Sequence, residues 1–271
     1  MKLYDCGMKK KGNEIIAHLT DDDFDYESVI ADIDADKKKY QAIHDEENAN
    51  VAWVIQHIVI AHKSFVEVFS LLKSKEYYKA WCELEQIEIL CNRIVKLCPG
   101  VIDVLRYIMD TVRNIQLLYP YRLFTSTVLV VKERICSICG KKRSIRSHCG
   151  HYVGYLYNGQ LCYDTITSID LKGIDLVFNP EHKYAVVGSD GSVPYDFSAV
   201  ENLMNWWPKP YCGWHMEPEI LYLKPEEFPN LSDKGLCPCG SMKNYEDCCK
   251  GNPKGVKHTR YNLLPGYKEG Q

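Results

Sequence analysis

The chain has 271 residues, 46% of them hydrophobic and 25% charged, with a formal net charge of −3 at pH 7. That length leaves room for one large domain or two smaller ones, the composition is that of an ordinary globular protein, and the near-neutral charge singles out no class of partner. There is no run of about eighteen apolar residues and no apolar signal-peptide core at the start, so the expectation is a cytoplasmic protein with no integral membrane segment.

Residues 1–20 carry few signals. Thr20 or Asp21 is placed to cap a helix starting near Phe24, and the acidic residues Asp21, Asp22, Asp23, Asp25 and Glu27 suit its positive end. From 46 to 73 the apolar residues Val51, Val54, Ile55, Ile58, Phe65, Phe69 and Leu72 recur at three- and four-residue steps, which predicts a well-buried helix. His57 and His62 fall within it and are read as satisfied core residues. A second helix is predicted over 76–97, stopped by Cys98-Pro99-Gly100, and a third over 101–118, ended at Tyr119-Pro120. Short connections between helices of this length predict an antiparallel helical region over residues 1–124. Glu83, Glu85 and Glu88 lack the Glu-x-x-His pairs of di-iron bundles and are read as an exposed helix face.

At residues 125–133 the composition switches to β-branched residues, which predicts a strand leading into CSICGKKRSIRSHCGHYVGYLYNGQLC at 136–162. Cys136-x-x-Cys139 followed by Gly140 is a zinc-knuckle pattern, two thiolates on a tight turn. A second pair must close a tetrahedral site, and the candidates are Cys149 or His151 with Cys162; glycines at 150, 154 and 159 stand where a hairpin would turn back toward the knuckle. Short strands are expected at 165–169, 174–178 and 184–187, so that 125–220 forms a small β-rich domain pinned by zinc. A short helix is expected over 197–207. Cys212, Trp214 and His215 then come close together in sequence and are assigned to packing of the central domain, and 221–235, with Pro225 and Pro229, reads as a linker.

Residues 237–249 read CPCGSMKNYEDCC, and the four thiolates of Cys237, Cys239, Cys248 and Cys249 can wrap one zinc with almost no hydrophobic core. The expectation is therefore an α+β chain holding two structural Zn2+ ions. Eight of its thirteen cysteines serve the two clusters, in a reducing compartment.

This last stretch resembles the SEC-C motif, the zinc-binding tail first known from the SecA preprotein translocase ATPase. Cys237, Cys239, Cys248 and Cys249 fall on the family's ligand positions, Ser241 on its serine, and Lys243 and Tyr245 in its basic-aromatic turn, while Met242 departs from the usual glycine. The resemblance covers about a tenth of the chain and implies a binding module over 236–271. In the translocase the motif contacts the export chaperone SecB and is associated with ribosome and phospholipid interaction. No G-x-x-x-x-G-K-[ST] phosphate loop is present, so the motor activity does not carry over. More loosely, the body is similar to bacterial and phage-associated proteins that join a PYxxF stretch (Pro120 to Phe124), a CSICG knuckle and CGHxxGxxYxG (Cys149 to Gly159) to such a tail, a likeness that brings no activity with it.

The leading functional expectation is a non-enzymatic zinc-binding adaptor for a protein, chaperone, translocation or ribosome component, because closed thiolate sites leave no position for a reactive water. The alternative is nucleic-acid binding, with Lys141, Lys142, Arg143 and Arg146 and the tail from Lys250 to Arg260 on phosphates and Tyr152, Tyr155 or Tyr157 on bases. A third reading is an HNH-like metal-dependent nuclease using His148 and His151, although strands rather than a helix are expected after the knuckle. Oligomeric state is open.

Overall fold

In the computed structural model, described for residues 7–147, 149–188, 191, 194–228, 231–241 and 243–267, the chain is of mixed α and β structure. His148 and Met242, which the sequence singles out, lie outside the described residues. The chain folds as two compact units, Met1–Tyr211 and Cys212–Gln271.

The first unit is built on α3 (Glu46–Lys73), 28 residues long and capped by Asp45, whose carboxylate accepts from the Asn48 amide at 3.1 Å. By length and composition α3 could cross a bilayer; here it is the central helix of a bundle, with Ala52, Val54, Ile58, Val59, Ala61, Phe65 and Val68 all fully buried. A turn with Lys75 at φ 62° leads into α4 (Tyr77–Leu97), and a 3-10 turn at Pro99–Val101 leads into α5 (Ile102–Leu118). These three match the helices that periodicity predicts.

α2 (Tyr26–Ala42) starts two residues later than expected, because Asp25 takes the cap, accepting from the Ser28 amide at 3.1 Å. α1 (Gly7–Ile16) is the helix that the sequence does not announce. It is fixed by buried Met8 and by Gly12, whose missing side chain lets Ile55 of α3 come close. His57 stacks on Trp53 and bonds its carbonyl at 2.7 Å, and His62 bonds the Tyr211 hydroxyl at 2.9 Å, so both are partnered core residues. Burial pushes both imidazoles down to about 4.

From the bundle the chain leaves as β1 (Phe124–Cys136), passes through the knuckle, and returns as β4 (Asp164–Val177), antiparallel to β1. Where two short strands were expected at 165–169 and 174–178, one 14-residue strand runs through Lys172-Gly173: Lys172 is an extra residue between the pairs Val128↔Gly173 and Leu129↔Leu171, so the turn signal is spent on a bulge. Residues 184–187 contribute only a bridge, Val186 to Phe124.

The ribbon is tied to the helices at both ends. Near its start, Glu85 of α4 is buried and accepts from the amides of Lys183 (2.6 Å) and Tyr184 (2.8 Å), while Trp81 donates to the Lys183 carbonyl at 2.6 Å. Glu88 holds the Lys183 ammonium. These carboxylates are therefore clamps and not the free face that the sequence suggested; a buried carboxylate needs such donors.

At the other end, the small hairpin of β2 (Leu156–Tyr157) and β3 (Gln160–Leu161) turns at Asn158-Gly159, φ 45° and 72°, and Gly159 donates to Asn50 of α3 at 2.7 Å. A Cβ on Gly159 would lie 3.0 Å from the Ala49 carbonyl. These ties draw the central β region into the same unit as the helices, where the sequence placed boundaries after 124 and 220. The short helix α6 (Ser198–Trp206) then packs on α3 and α5.

In the second unit β5 (Trp214–Leu223) pairs with β6 (Val256–Pro265) along its whole length, and the loop between them carries the four C-terminal cysteines. The Cys212 to His215 stretch thus opens this unit, the expected linker begins inside a strand, and the expected basic tail is itself a strand. There Lys257 stands opposite Tyr222 and Arg260 opposite Glu219, with which it forms an ion pair at 2.6 Å.

Candidate metal centres

The central cluster is assembled by local turns at the far end of the ribbon. Cys136 closes β1, and the following turn returns through Gly140, at φ 68°, whose amide donates to the Cys136 carbonyl at 2.8 Å. Cys149 and His151 arrive on the next loop, with Gly150 at φ 85° between them. One ligand atom each from Cys136, Cys139, Cys149 and His151 lies within 4.8 Å of the others. The His151 Nδ1 stands 3.6 Å from Cys149 Sγ and 3.7 Å from Cys136 Sγ. A tetrahedral zinc with Zn–S near 2.3 Å and Zn–N near 2.0 Å requires S···N of about 3.6 Å and S···S of about 3.8 Å, so the donor set and spacing fit that ion.

The sequence treats Cys149 and His151 as alternatives and pairs either with Cys162. In the structure both stand in the group with the knuckle thiols, and Cys162 lies outside it, buried, with its sulfur 3.9 Å from that of Cys136. The left-handed backbone at Gly150 is what brings both residues of a Cys-x-His pair to one point.

Arg143 links these groups. Its Nη2 donates to Cys136 Sγ (3.1 Å), Cys162 Sγ (3.2 Å) and the His151 carbonyl (2.7 Å), while Nη1 pairs with Asp164 at 3.1 Å. Burial opposes ionisation of Cys136, but the amides of Cys139 and Ile138 and the Arg143 guanidinium outweigh it and bring the thiol down to about 5. Burial pushes the Cys162 thiol up. The guanidinium thus favours Cys136 as a thiolate ligand, while burial works against ionisation of the neighbouring Cys162. Sequence reading places Arg143 merely in a basic loop; its position seven residues after the first knuckle cysteine is the only signal of its role. The imidazole of His151 is held edge-on by Tyr157, ring centroids 4.7 Å apart, so the hairpin tyrosine serves the site's own small core.

The second cluster brings Cys237, Cys239, Cys248 and Cys249 within the same 4.8 Å limit. Cys239 Sγ is 3.5 Å and Cys249 Sγ 3.9 Å from Cys248 Sγ, again the edge lengths of a zinc tetrahedron. Gly240 at φ 78° closes the first turn. Ser241 Oγ lies 3.1 Å from Cys248 Sγ and also accepts from the Lys243 amide. Burial works against ionisation of Cys239, yet the Ser241 hydroxyl and the neighbouring cysteine contacts bring it down to about 6. Around the sulfurs Tyr245 and Val256 are the other buried residues, with Phe228 and Leu231 packed against them.

These two groups can each hold a metal ion, and their thiolate-rich donor sets are compatible with zinc. Among the described residues the twelve cysteines form no disulfide. No family model, characterised protein or solved structure matches the chain.

Proposed function

We propose that the protein is a zinc-framed adaptor, with one structural Zn2+ on Cys136, Cys139, Cys149 and His151 and a second on Cys237, Cys239, Cys248 and Cys249. The observation that carries this reading is the closed, four-donor character of both groups, which fills a tetrahedral shell with protein side chains and leaves no place for substrate or water. The metal then supplies cross-links, and what the protein does resides in the surfaces they hold. The resemblance of 236–271 to the SEC-C motif points to a protein partner, an export chaperone or a ribosome component, engaged by the second unit. Its exposed groups around the zinc loop include Ser241, Lys243 and Glu246.

The test is co-sedimentation of the zinc-loaded chain with ribosomes and, separately, titration with a purified SecB-class chaperone. Binding to one of them that is lost in Cys237→Ser/Cys239→Ser supports the adaptor. Binding to neither overturns this choice of partner.

A second reading, nucleic-acid binding, is favoured by a cleft of about 500 Å³ between β1 and the knuckle loop, where Lys132, Arg134, Arg143, Ser144 and Arg146 stand with the apolar Val131 and Ile145. Three of those cations are already engaged, Lys132 by Asp170 and both Arg134 and Arg143 by Asp164, which lowers the charge available to phosphates. Salt-sensitive binding of single-stranded RNA or DNA that Arg146→Ala weakens would move the balance to it. The nuclease reading fares less well, because His151 stands among the ligands and a strand follows the knuckle.

A further inference from the structure

The β1–β4 ribbon is amphipathic although its apolar face stands in solvent. Between Phe124 and Val131 β1 has no extra residue, so Thr125, Thr127, Leu129 and Val131 share one face, together with their cross-strand partners Leu176, Ile174, Leu171 and Ile169. That face holds six large aliphatic side chains, two threonines and no charge. The opposite face pairs Ser126 with Asp175, Val128 with Gly173 and Val130 with Asp170. The opposite face also exposes Val128 and Val130, but it carries Asp170 and Asp175 beside them, and a bias of this kind is what a sheet shows when one face packs against protein and the other meets water. Yet the six aliphatic residues stand between 39% (Leu129) and 64% (Leu176) exposed.

The geometry points to a second copy of this chain as the occupant: we propose that two ribbons pack apolar face to apolar face about a twofold axis. A face without charge offers nothing to select a charged partner, while it is complementary to itself, as an isologous contact requires. The six side chains leave on the order of 500 Å² per ribbon in solvent, so two copies would bury about 1,000 Å², the lower bound for a specific interface.

Pairing at the edges is disfavoured by the same ribbon. Three register shifts interrupt it, Lys132 and Glu133 lie at one shift and Lys172 is the extra residue at another, which are devices that block strand addition. The edges are interrupted where the face is continuous, so association runs through the face, giving a two-layer arrangement of four strands with their directions about 30° apart. The inference is independent of the metal ions and of the adaptor reading.

The experiment is sedimentation velocity of the full zinc-loaded chain from 1 to 100 µM. The wild type is expected at about 63 kDa, twice the 31.3 kDa of one chain. Leu171→Glu/Ile174→Glu, on exposed positions outside the protomer's core, should run as a monomer with its helical circular dichroism unchanged, a loss of at least about a hundredfold in dimer affinity. Val130→Glu, on the opposite face, should stay dimeric. Should the double glutamate variant fail to fold, Leu171→Thr/Ile174→Thr keeps strand propensity and should weaken the dimer in the same direction. A wild type that remains at 31.3 kDa throughout, a dimer indifferent to the Leu171 and Ile174 substitutions, or one that Val130→Glu dissociates equally, overturns the proposal.

Discussion

The two cysteine clusters share a tetrahedral geometry and differ in what stands around them. The central one lies in a unit whose helices bury an extensive core independent of the thiols, from Ile33 through Phe65 to Trp207. The C-terminal one sits in a unit of some sixty residues, where two of the four residues in its buried cluster, Cys237 and Cys249, are themselves ligand candidates. An ion in the first position would fix a local shape on a structure that already stands; in the second it would be a large part of what holds the loop together. On the adaptor reading proposed above, the same chemistry has a conformational role in one place and a folding role in the other.

The largest effect should come from breaking the C-terminal cluster. Zinc binding to small thiolate modules is worth on the order of 10 kcal/mol, far more than the packing of Tyr245 and Val256 supplies. Cys248→Ser should abolish hydrogen-exchange protection in the 235–250 loop, whereas Cys136→Ser should leave the helices protected and change exchange only in 137–163. Equal, global loss in both variants would erase the contrast.

A smaller effect is expected at Arg143, which touches two sulfurs, a ligand's carbonyl and Asp164. Arg143→Met should raise the rate of zinc loss from the central site about 10- to 100-fold in a chelator competition, leaving the other site unchanged. Unaltered retention would reduce the guanidinium to a packing element.

The helical core has its own signature, apart from metal. His57 and His62 titrate near 4 when folded and near 6.5 when exposed. Between those values the unfolded chain binds more protons, so their contribution is fully present above about pH 6.5 and is lost as pH falls toward 4. The loss is at most on the order of 3 kcal/mol for each. His62→Gln should show a shallower decline in urea stability from pH 7 to pH 5 than the wild type; an identical decline would mean that His62 stays accessible.

Much of this organisation is legible in the sequence wherever a residue pattern has a single physical solution. The stripe of Val51, Ile58, Phe65 and Leu72 allows only a buried helix, and the Cys-x-Cys and Cys-Cys pairs converge over so few residues that little else could bring them together. What was hidden depends on contacts between distant segments. α1 forms because Gly12 meets Ile55; Glu85 is buried because Lys183 and Tyr184 arrive with unpaired amides; Gly173 sits in a bulge because β1 continues alongside it. The Cys149 and His151 pair was ambiguous for a local reason, since their shared approach depends on the φ of one glycine. The strands β5 and β6 escaped notice because proline and charge at Pro218, Glu217 and Arg260 mask their alternation.

Native mass spectrometry of the full chain, purified without added metal, tests the central claim most directly. The expected species carries two zinc ions, falling to one in Cys136→Ser and to one in Cys248→Ser. A folded wild type that carries none, or a variant of either cluster that still carries two, would contradict the account.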